Sequence, residues 1–233
     1  MISLPSNRLE LWMAIESDRM LNPVFREFYS ERDVIMEERR QTIDSKPERK
    51  LLEQFLATAF IAHPYGVPVI GWATDMRFLS KKEVIKFNKT FYVPNNCVVA
   101  IVGDINIENT LFLLKKYFER IPARKLPCRL VTKEPPQLGE RRIKVELNAN
   151  PQLIIGFHKK TIPSFDDYVF DIIEELLSRG RTSRFYINLI DKGLALNAYA
   201  INGYPGVRYP NLFTIFVTPK FPHTCKELEN AVY

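Results

Sequence analysis

Two glutamates on one predicted helix have the clearest potential for chemistry in this sequence. Glu31 and Glu38 are seven positions apart, which is almost two full helical turns. Their side chains therefore project from nearly the same side of the helix, together with Phe28, Val34 and Ile35. Carboxylates within an apolar stripe are costly unless something pairs with them, which makes these two glutamates stand out in the sequence.

Helix geometry alone also allows a structural interpretation. Both carboxylates can lie at the edge of the stripe and pair with Arg32, Arg39 or Arg40. Such pairs are common on helix surfaces, and this alternative stays open on spacing alone.

The first third of the chain predicts three helices that would position these residues. They cover residues 8–20, 24–44 and 48–62. Asn22 and Pro23 have the residue types of an N-cap and a first helical position, so they predict the start of the helix that carries both glutamates.

Later segments predict both strands and helices. Ser80 and Glu83 form a capping box for a helix that ends near residue 91. Apolar or alternating runs predict strands over 97–102, 143–147, 152–158, 195–201 and 212–218, and a helix is predicted over 165–178. Strands and helices mix without regular alternation, which predicts an α+β class.

The segment 121–142 is the best domain boundary, since it contains four prolines and no clear periodicity of apolar residues.

The composition of the chain excludes few classes of function. The net charge is +6, but the basic residues are scattered over separate segments, which favours solvated surface over a nucleic-acid face. The three cysteines predict no disulfide framework, and no apolar stretch is long enough to span a membrane.

The histidines predict no metal site on their own. His63, His158 and His223 are the only ones, and none belongs to an HxxEH or HxxxH pairing. A catalytic zinc normally has three protein ligands.

The stretch 31–40, ERDVIMEERR, resembles the pitrilysin/insulinase family of zinc metallopeptidases, which includes the mitochondrial processing peptidases. Three more stretches match family patterns in the right order. These are the loop over 63–71, the segment 92–104 with its Y-x-P-x-N and final GD, and the segment 180–195 with GRTSRFY and GLA.

The resemblance implies roles for the two glutamates. In the family, an HxxEH helix supplies two histidine ligands and a water-activating glutamate, and a glutamate on a later helix completes the zinc site. Alignment on residues 34–36 gives that ligand position to Glu38, while Glu37 faces away. Glu31 matches a family glutamate that supports the active site.

This sequence departs from the family pattern in two ways. It lacks HxxEH, so we expect an incomplete piece that neither holds zinc tightly nor cleaves peptides alone. Leu189 and Leu196 stand where some family members carry an Arg/Tyr pair that grips substrate. The resemblance therefore implies a second homologous half or subunit that supplies this pair.

The resemblance also implies the architecture and the activity. We expect two similar domains of mostly antiparallel sheet packed with helices, both incomplete. Residues 1–135 would be the later part of the first domain, and residues 136–233 the early part of the second. The expected function is a zinc-dependent endopeptidase acting on peptides, and the alternative is a non-catalytic scaffold or partner subunit of the same family.

Overall fold

The computed structural model describes residues 1–128 and 132–233, and the chain divides into two compact units. Unit 1 comprises Met1–Glu38 and Gly71–Val131, and unit 2 comprises Arg39–Ile70 and Thr132–Tyr233. The compact units differ from the predicted domains because residues 39–70 belong to unit 2, whereas the prediction places them in the first domain. The division into two homologous domains stays a prediction, and residues 129–131 of the predicted boundary segment lie outside the described residues.

Unit 1 is built mainly from helices. They are α1 (Leu9–Leu21), α2 (Phe28–Arg39, whose last residue belongs to unit 2), α4 (Ala73–Phe78), α5 (Lys81–Phe91) and α6 (Ile107–Phe118). The predicted capping box of α5 is confirmed, since Ser80 and Glu83 bond each other's backbone N–H groups.

The helix with the two glutamates begins later than predicted. Asn22 ends α1 by donating its backbone N–H to the carbonyl of Asp18, so it does not cap the next helix. Glu27 has a φ of 52°, which a right-handed helix cannot accommodate. For these reasons α2 starts at Phe28, and a π-helical turn over Arg40–Asp44 follows it.

Two predicted strands are absent from the described structure. Residues 97–102 are outside any sheet of the described part of the chain, and Val98 and Val102 are 95% and 96% exposed. The segment 143–147 is likewise not a strand there. A strand requires a hydrogen-bonded neighbour, which an apolar or alternating sequence cannot supply by itself.

Unit 2 contains an antiparallel sheet of three strands in the order β1-β3-β2. The strands are β1 (Leu153–Lys159), β2 (Ala195–Tyr204) and β3 (Asn211–Pro219). The helices of this unit are α3 (Pro47–Ala59), α7 (Phe165–Ser178) and α8 (Cys225–Val232). Mixed helices and antiparallel strands confirm the predicted α+β class.

One face of the sheet forms the core of unit 2. A π-helical turn covers Tyr186–Ile190. The buried cluster combines residues of β2 and β3 with residues from this turn, from the position just before it and from α8. Its members are Phe185, Leu189, Ala195, Ala198, Ala200, Phe213, Ile215, Val217 and Leu228. Phe170, Ile173 and Leu177 of α7 pack against this cluster. Burial of apolar surface on this face is the main stabilising contribution to the unit.

Helix α3 joins unit 2 through a close approach and a buried ion pair. The Phe55 ring lies against Gly156 of β1 so closely that a Cβ there would be 2.5 Å from a ring carbon. Arg39 is 5% exposed and forms an ion pair with Glu53 of α3 at 2.8 Å. The contact between Phe55 and Gly156 explains why residues 39–70 group with the later part of the chain, whereas the ion pair joins two residues within that range.

Arg142 links the segment before β1 to α8. Its guanidinium bonds Glu229 at 2.6 Å and Glu140 at 2.6 Å. Hydrogen bonding to Arg142 lowers the pKa of Glu229 to about 2, and the same contacts raise the pKa of Arg142. The ion pair therefore stabilises unit 2 only where Glu229 is ionised.

Leu228 provides a test of the core. It is 0% exposed, whereas Leu138 is 99% exposed. We expect Leu228→Ala to lower the free energy of unfolding of unit 2 by about 2–5 kcal/mol, because it leaves a cavity. The matched change Leu138→Ala should alter it by less than about 0.5 kcal/mol. Urea unfolding followed by circular dichroism measures both, and equal effects would contradict the described core.

The Arg142–Glu229 pair predicts a pH dependence. The pKa of Glu229 falls from its usual 4.5 to about 2 on folding, so its contribution is present above pH 4.5 and is lost as the pH falls towards 2. We expect Glu229→Gln and Arg142→Gln each to flatten the loss of stability over that range. Glu119→Gln, at an exposed position of unit 1, should leave the slope unchanged. Unfolding midpoints measured from pH 6 to pH 2 give the comparison.

Candidate functional site

The candidate site is the exposed face of α2 that carries Glu31 and Glu38. Both residues lie in one α-helix, and both are exposed in unit 1. Seven residues separate their backbones by about 10 Å along the axis. At that distance one carboxylate can bind a metal ion directly, while the other can contact the groups that surround the ion.

Apolar residues share this open face. Val34 is 60% exposed and Ile35 is 43% exposed. The combination of acidic and exposed apolar side chains on one helix face is more typical of a surface that contacts something than of an ordinary solvated face.

Two of the arginines that could pair with Glu31 or Glu38, Arg32 and Arg39, contact other groups of the chain. Arg32 donates to the carbonyl of Arg77 at 3.1 Å and contacts Asp33 at 3.2 Å. Arg39 is buried with Glu53.

The side chains described here do not make a zinc site by themselves. In residues 1–128 and 132–233, no three His, Cys, Asp or Glu side chains form a group that could hold a metal. A catalytic zinc needs three protein ligands, so Glu31 and Glu38 would need partners from elsewhere.

Each histidine is engaged within its own surroundings. The Nδ1 atom of His63 accepts the backbone N–H of Tyr65 at 3.1 Å. Nε2 of His158 bonds the carbonyl oxygen of Ala59 at 3.0 Å, and Nδ1 of His223 bonds Glu227 at 3.0 Å. These contacts indicate structural roles for all three histidines.

Glu134 holds the chain at the start of the loop over 63–71, a role that the sequence does not predict. Its carboxylate accepts the backbone N–H groups of Ile61, Ala62 and His63 at 2.9, 3.0 and 2.9 Å. Burial raises the pKa of Glu134, but these three donors and Arg141 outweigh that effect and lower it. More than 70 residues separate Glu134 from its donors, so no local pattern identifies it.

Leu189 and Leu196 have different surroundings. Leu189 is 1% exposed and belongs to the core of unit 2, whereas Leu196 is 58% exposed on β2. Leu189 is therefore a packing residue in this chain.

No helix in the described part of the chain is long and apolar enough to cross a membrane.

Comparison with known proteins identifies relatives among zinc proteases. A family model described as the Peptidase M16 inactive domain matches residues 79–232. The zinc protease PqqE of Helicobacter pylori is 32% identical over 182 residues, which cover 76% of this chain and 41% of that protein. The beta subunit of a probable mitochondrial-processing peptidase from Arabidopsis thaliana is 29% identical over 91 residues, or 39% of this chain and 17% of that protein.

Solved structures show the same fold. The crystal structure of a protease from Helicobacter pylori has a TM-score of 0.87 at 27% identity, covering 98% of this chain and 57% of that chain. The first half of the periplasmic protease PqqL from Escherichia coli has a TM-score of 0.65 at 17% identity, covering 94% of this chain and 48% of that chain. The chain thus spans about two fifths of PqqE and about half of each of the two solved chains.

The exposure of the site predicts that its glutamates contribute little to stability. We expect Glu31→Gln and Glu38→Gln to change the free energy of unfolding by less than about 1 kcal/mol. Glu53→Gln is the contrasting variant, because it removes the closer of the two carboxylates beside buried Arg39, the other being Asp44 at 3.6 Å, and it should cost about 1.5–3 kcal/mol, as for a hydrogen bond to a charged group. Chemical denaturation of the three variants measures this, and a large loss in Glu38→Gln would assign that residue a structural role.

Proposed function

Because the chain belongs to the M16, or pitrilysin/insulinase, family of zinc metallopeptidases, we propose that it is part of a zinc-dependent endopeptidase that cleaves peptides or unfolded protein segments. The observation that carries the proposal is the exposed face of α2, on which Glu31 and Glu38 stand among apolar side chains. A relative that shares 32% of residues over most of this chain is a zinc protease, which supports the same activity.

Glu38 is the proposed zinc ligand, and Glu31 is the proposed supporting residue. Glu38 is exposed, so an approaching histidine-bearing segment can reach its carboxylate. Glu31 lies two turns earlier on the same helix and would orient the ligands by hydrogen bonding, as the surroundings of metal sites commonly do.

The remaining ligands must come from outside these 233 residues. None of the three histidines belongs to an HxxEH motif, and the chain covers only 41% of its relative PqqE. In the intact protein, a bound zinc ion would polarise a peptide carbonyl and acidify a bound water. This chain alone is proposed to be inactive.

A second homologous half or subunit is the proposed partner. Leu189 and Leu196 occupy the positions where an Arg/Tyr pair is expected, and Leu189 is buried in the core. The substrate-gripping pair would therefore come from the partner.

A non-catalytic scaffold or partner subunit is the alternative function. It is favoured by the family model, whose description is an inactive domain and whose match covers residues 79–232. Glu31 and Glu38 lie before that range, and their position in an exposed apolar stripe favours the catalytic proposal.

Metal analysis of the longer protein tests the proposal. We expect the parent protein to contain one zinc per chain and to cleave an unstructured peptide, and Glu38→Gln to lose the zinc because a ligand is removed. Glu31→Gln should weaken metal affinity or activity by about 10–100-fold.

Glu37→Gln is the matched control, one residue away on a different side of α2, and it should retain zinc and activity. Stoichiometric zinc in the Glu38→Gln variant would reject the assigned ligand. A parent protein without zinc or cleavage would favour the scaffold function.

A further inference from the structure

Lys159, Asp167 and Asn211 form a buried polar cluster at one end of the sheet of unit 2. Lys159 is the last residue of β1, Asn211 is the first residue of β3, and Asp167 lies in the first turn of α7. Their exposed fractions are 8%, 0% and 5%. Because so little of these side chains is exposed, their surroundings are set by this chain itself, and further parts of the protein can hardly reach them.

Helix α7 is held on the sheet by hydrogen bonds to β2. Ser178 accepts the backbone N–H of Ala200 at 2.6 Å, and Glu174 accepts the backbone N–H of Asn202 at 2.7 Å. The side chain of Asn202 in turn donates to the carbonyl oxygen of Asp167 at 3.1 Å. These bonds fix the first turn of α7, and with it the carboxylate of the cluster, against the end of the sheet.

The ammonium group of Lys159 has one N–H more than its oxygen partners use. It forms an ion pair with the carboxylate of Asp167 and donates to the carbonyl oxygen of Lys160 at 3.1 Å. The ring of Phe170 lies 5.5 Å from Nζ. A lysine ammonium carries three N–H groups, so in the described part of the chain the third has no oxygen or nitrogen partner.

The side chain of Asn211 has the complementary deficiency. Its Nδ2 donates to the carbonyl oxygen of Gly206 at 3.0 Å, and this contact fixes the orientation of the amide, because exchanging its oxygen and nitrogen would bring two acceptors together. Its Oδ1 is buried and has no hydrogen-bond donor among the described residues. A buried acceptor without a donor is costly, and native proteins usually supply one from the chain or from bound water.

The free donor and the free acceptor project into the same space. Lys159 and Asn211 are direct partners in the register of β1 and β3. Side chains of directly opposed residues lie on the same face of a sheet, with Cβ atoms about 4.5–5.5 Å apart. The two groups nevertheless form no hydrogen bond with each other, so a small molecule between them could satisfy both.

The charges of the cluster restrict what that molecule can be. A cation would be repelled by the ammonium of Lys159, and an anion would face the carboxylate of Asp167 and the amide oxygen of Asn211. The ligand must accept a hydrogen bond from Nζ and donate one to Oδ1. Water is the smallest neutral molecule that does both, and buried waters typically have two to four such polar partners.

We propose that unit 2 contains a binding site for one structural water molecule, which accepts a hydrogen bond from Nζ of Lys159 and donates one to Oδ1 of Asn211. The water links the end of β1 to the start of β3, and through Asp167 it connects both strands to the first turn of α7.

A crystal structure of the 233-residue chain at high resolution tests the site directly. We expect a density peak within about 3.2 Å of both Nζ of Lys159 and Oδ1 of Asn211. Crystals grown in rubidium bromide should show no anomalous peak at that position, because neither ion fits the charges of the cluster.

Oxygen-17 magnetic relaxation dispersion gives a second measurement in solution, since it counts the water molecules that stay bound while the protein rotates. Asn211→Leu removes the acceptor and should lower the count by one, and Lys159→Met removes the donor and should do the same. The matched controls are Asn148→Leu and Lys144→Met, at exposed positions of unit 2, and neither should change the count. Circular dichroism shows which variants fold.

Four outcomes would overturn the proposal. They are a direct hydrogen bond between Nζ and Oδ1, no density between them, an anomalous peak that identifies a bound ion, and an unchanged water count in a folded Asn211→Leu variant. Where that variant does not fold, the crystal structure of the unchanged chain decides. The experiment requires neither zinc nor cleavage, so its result is independent of the peptidase proposal.

Discussion

The packing of the Phe55 ring against Gly156 fixes the position of α3 on the sheet of unit 2. A side chain at position 156 would need the space that the ring occupies, since a Cβ would stand 2.5 Å from it. Such close packing allows only small adjustments. Because α3 is fixed there, Leu51 and Phe55 line a cavity of about 430 Å³ beside β1, and Glu53 is positioned to pair with buried Arg39. The sheet face opposite α3 is then left to the main apolar core.

The same arrangement gives the two parts of α2 different roles. Arg39, at its end, is buried and belongs to unit 2. Glu31 and Glu38 belong to unit 1 and are exposed with Val34 and Ile35. A change at Arg39 therefore bears on folding, while changes at the two glutamates bear on what the exposed face contacts. This separation explains why a stability measurement and a metal measurement can assign the residues independently.

Local patterns in the sequence predicted some elements correctly. They failed where contacts between residues far apart in the sequence determine the structure. The capping box of α5 depends on Ser80 and Glu83 alone, so it was readable. The three strands of unit 2 were also predicted, because each combines an apolar run with nearby turn residues. The apolar run over 97–102 has the same appearance, but no described strand lies beside it. The start of α2 was wrong because Asn22 can either begin a helix or end one, and the positive φ of Glu27 has no sequence signal.

The candidate site shows the same division between local and distant information. The spacing of Glu31 and Glu38 follows from the helical repeat and was predictable. The contacts of the Glu134 carboxylate were not predictable, because they join residues that are far apart in the sequence. The protection of the edge of β2 was not predictable either, because it depends on the order of the strands. Ser178 and Glu174 look like ordinary polar positions of an amphipathic helix. Only their contact with two outward N–H groups of β2 shows that this edge of the sheet is protected.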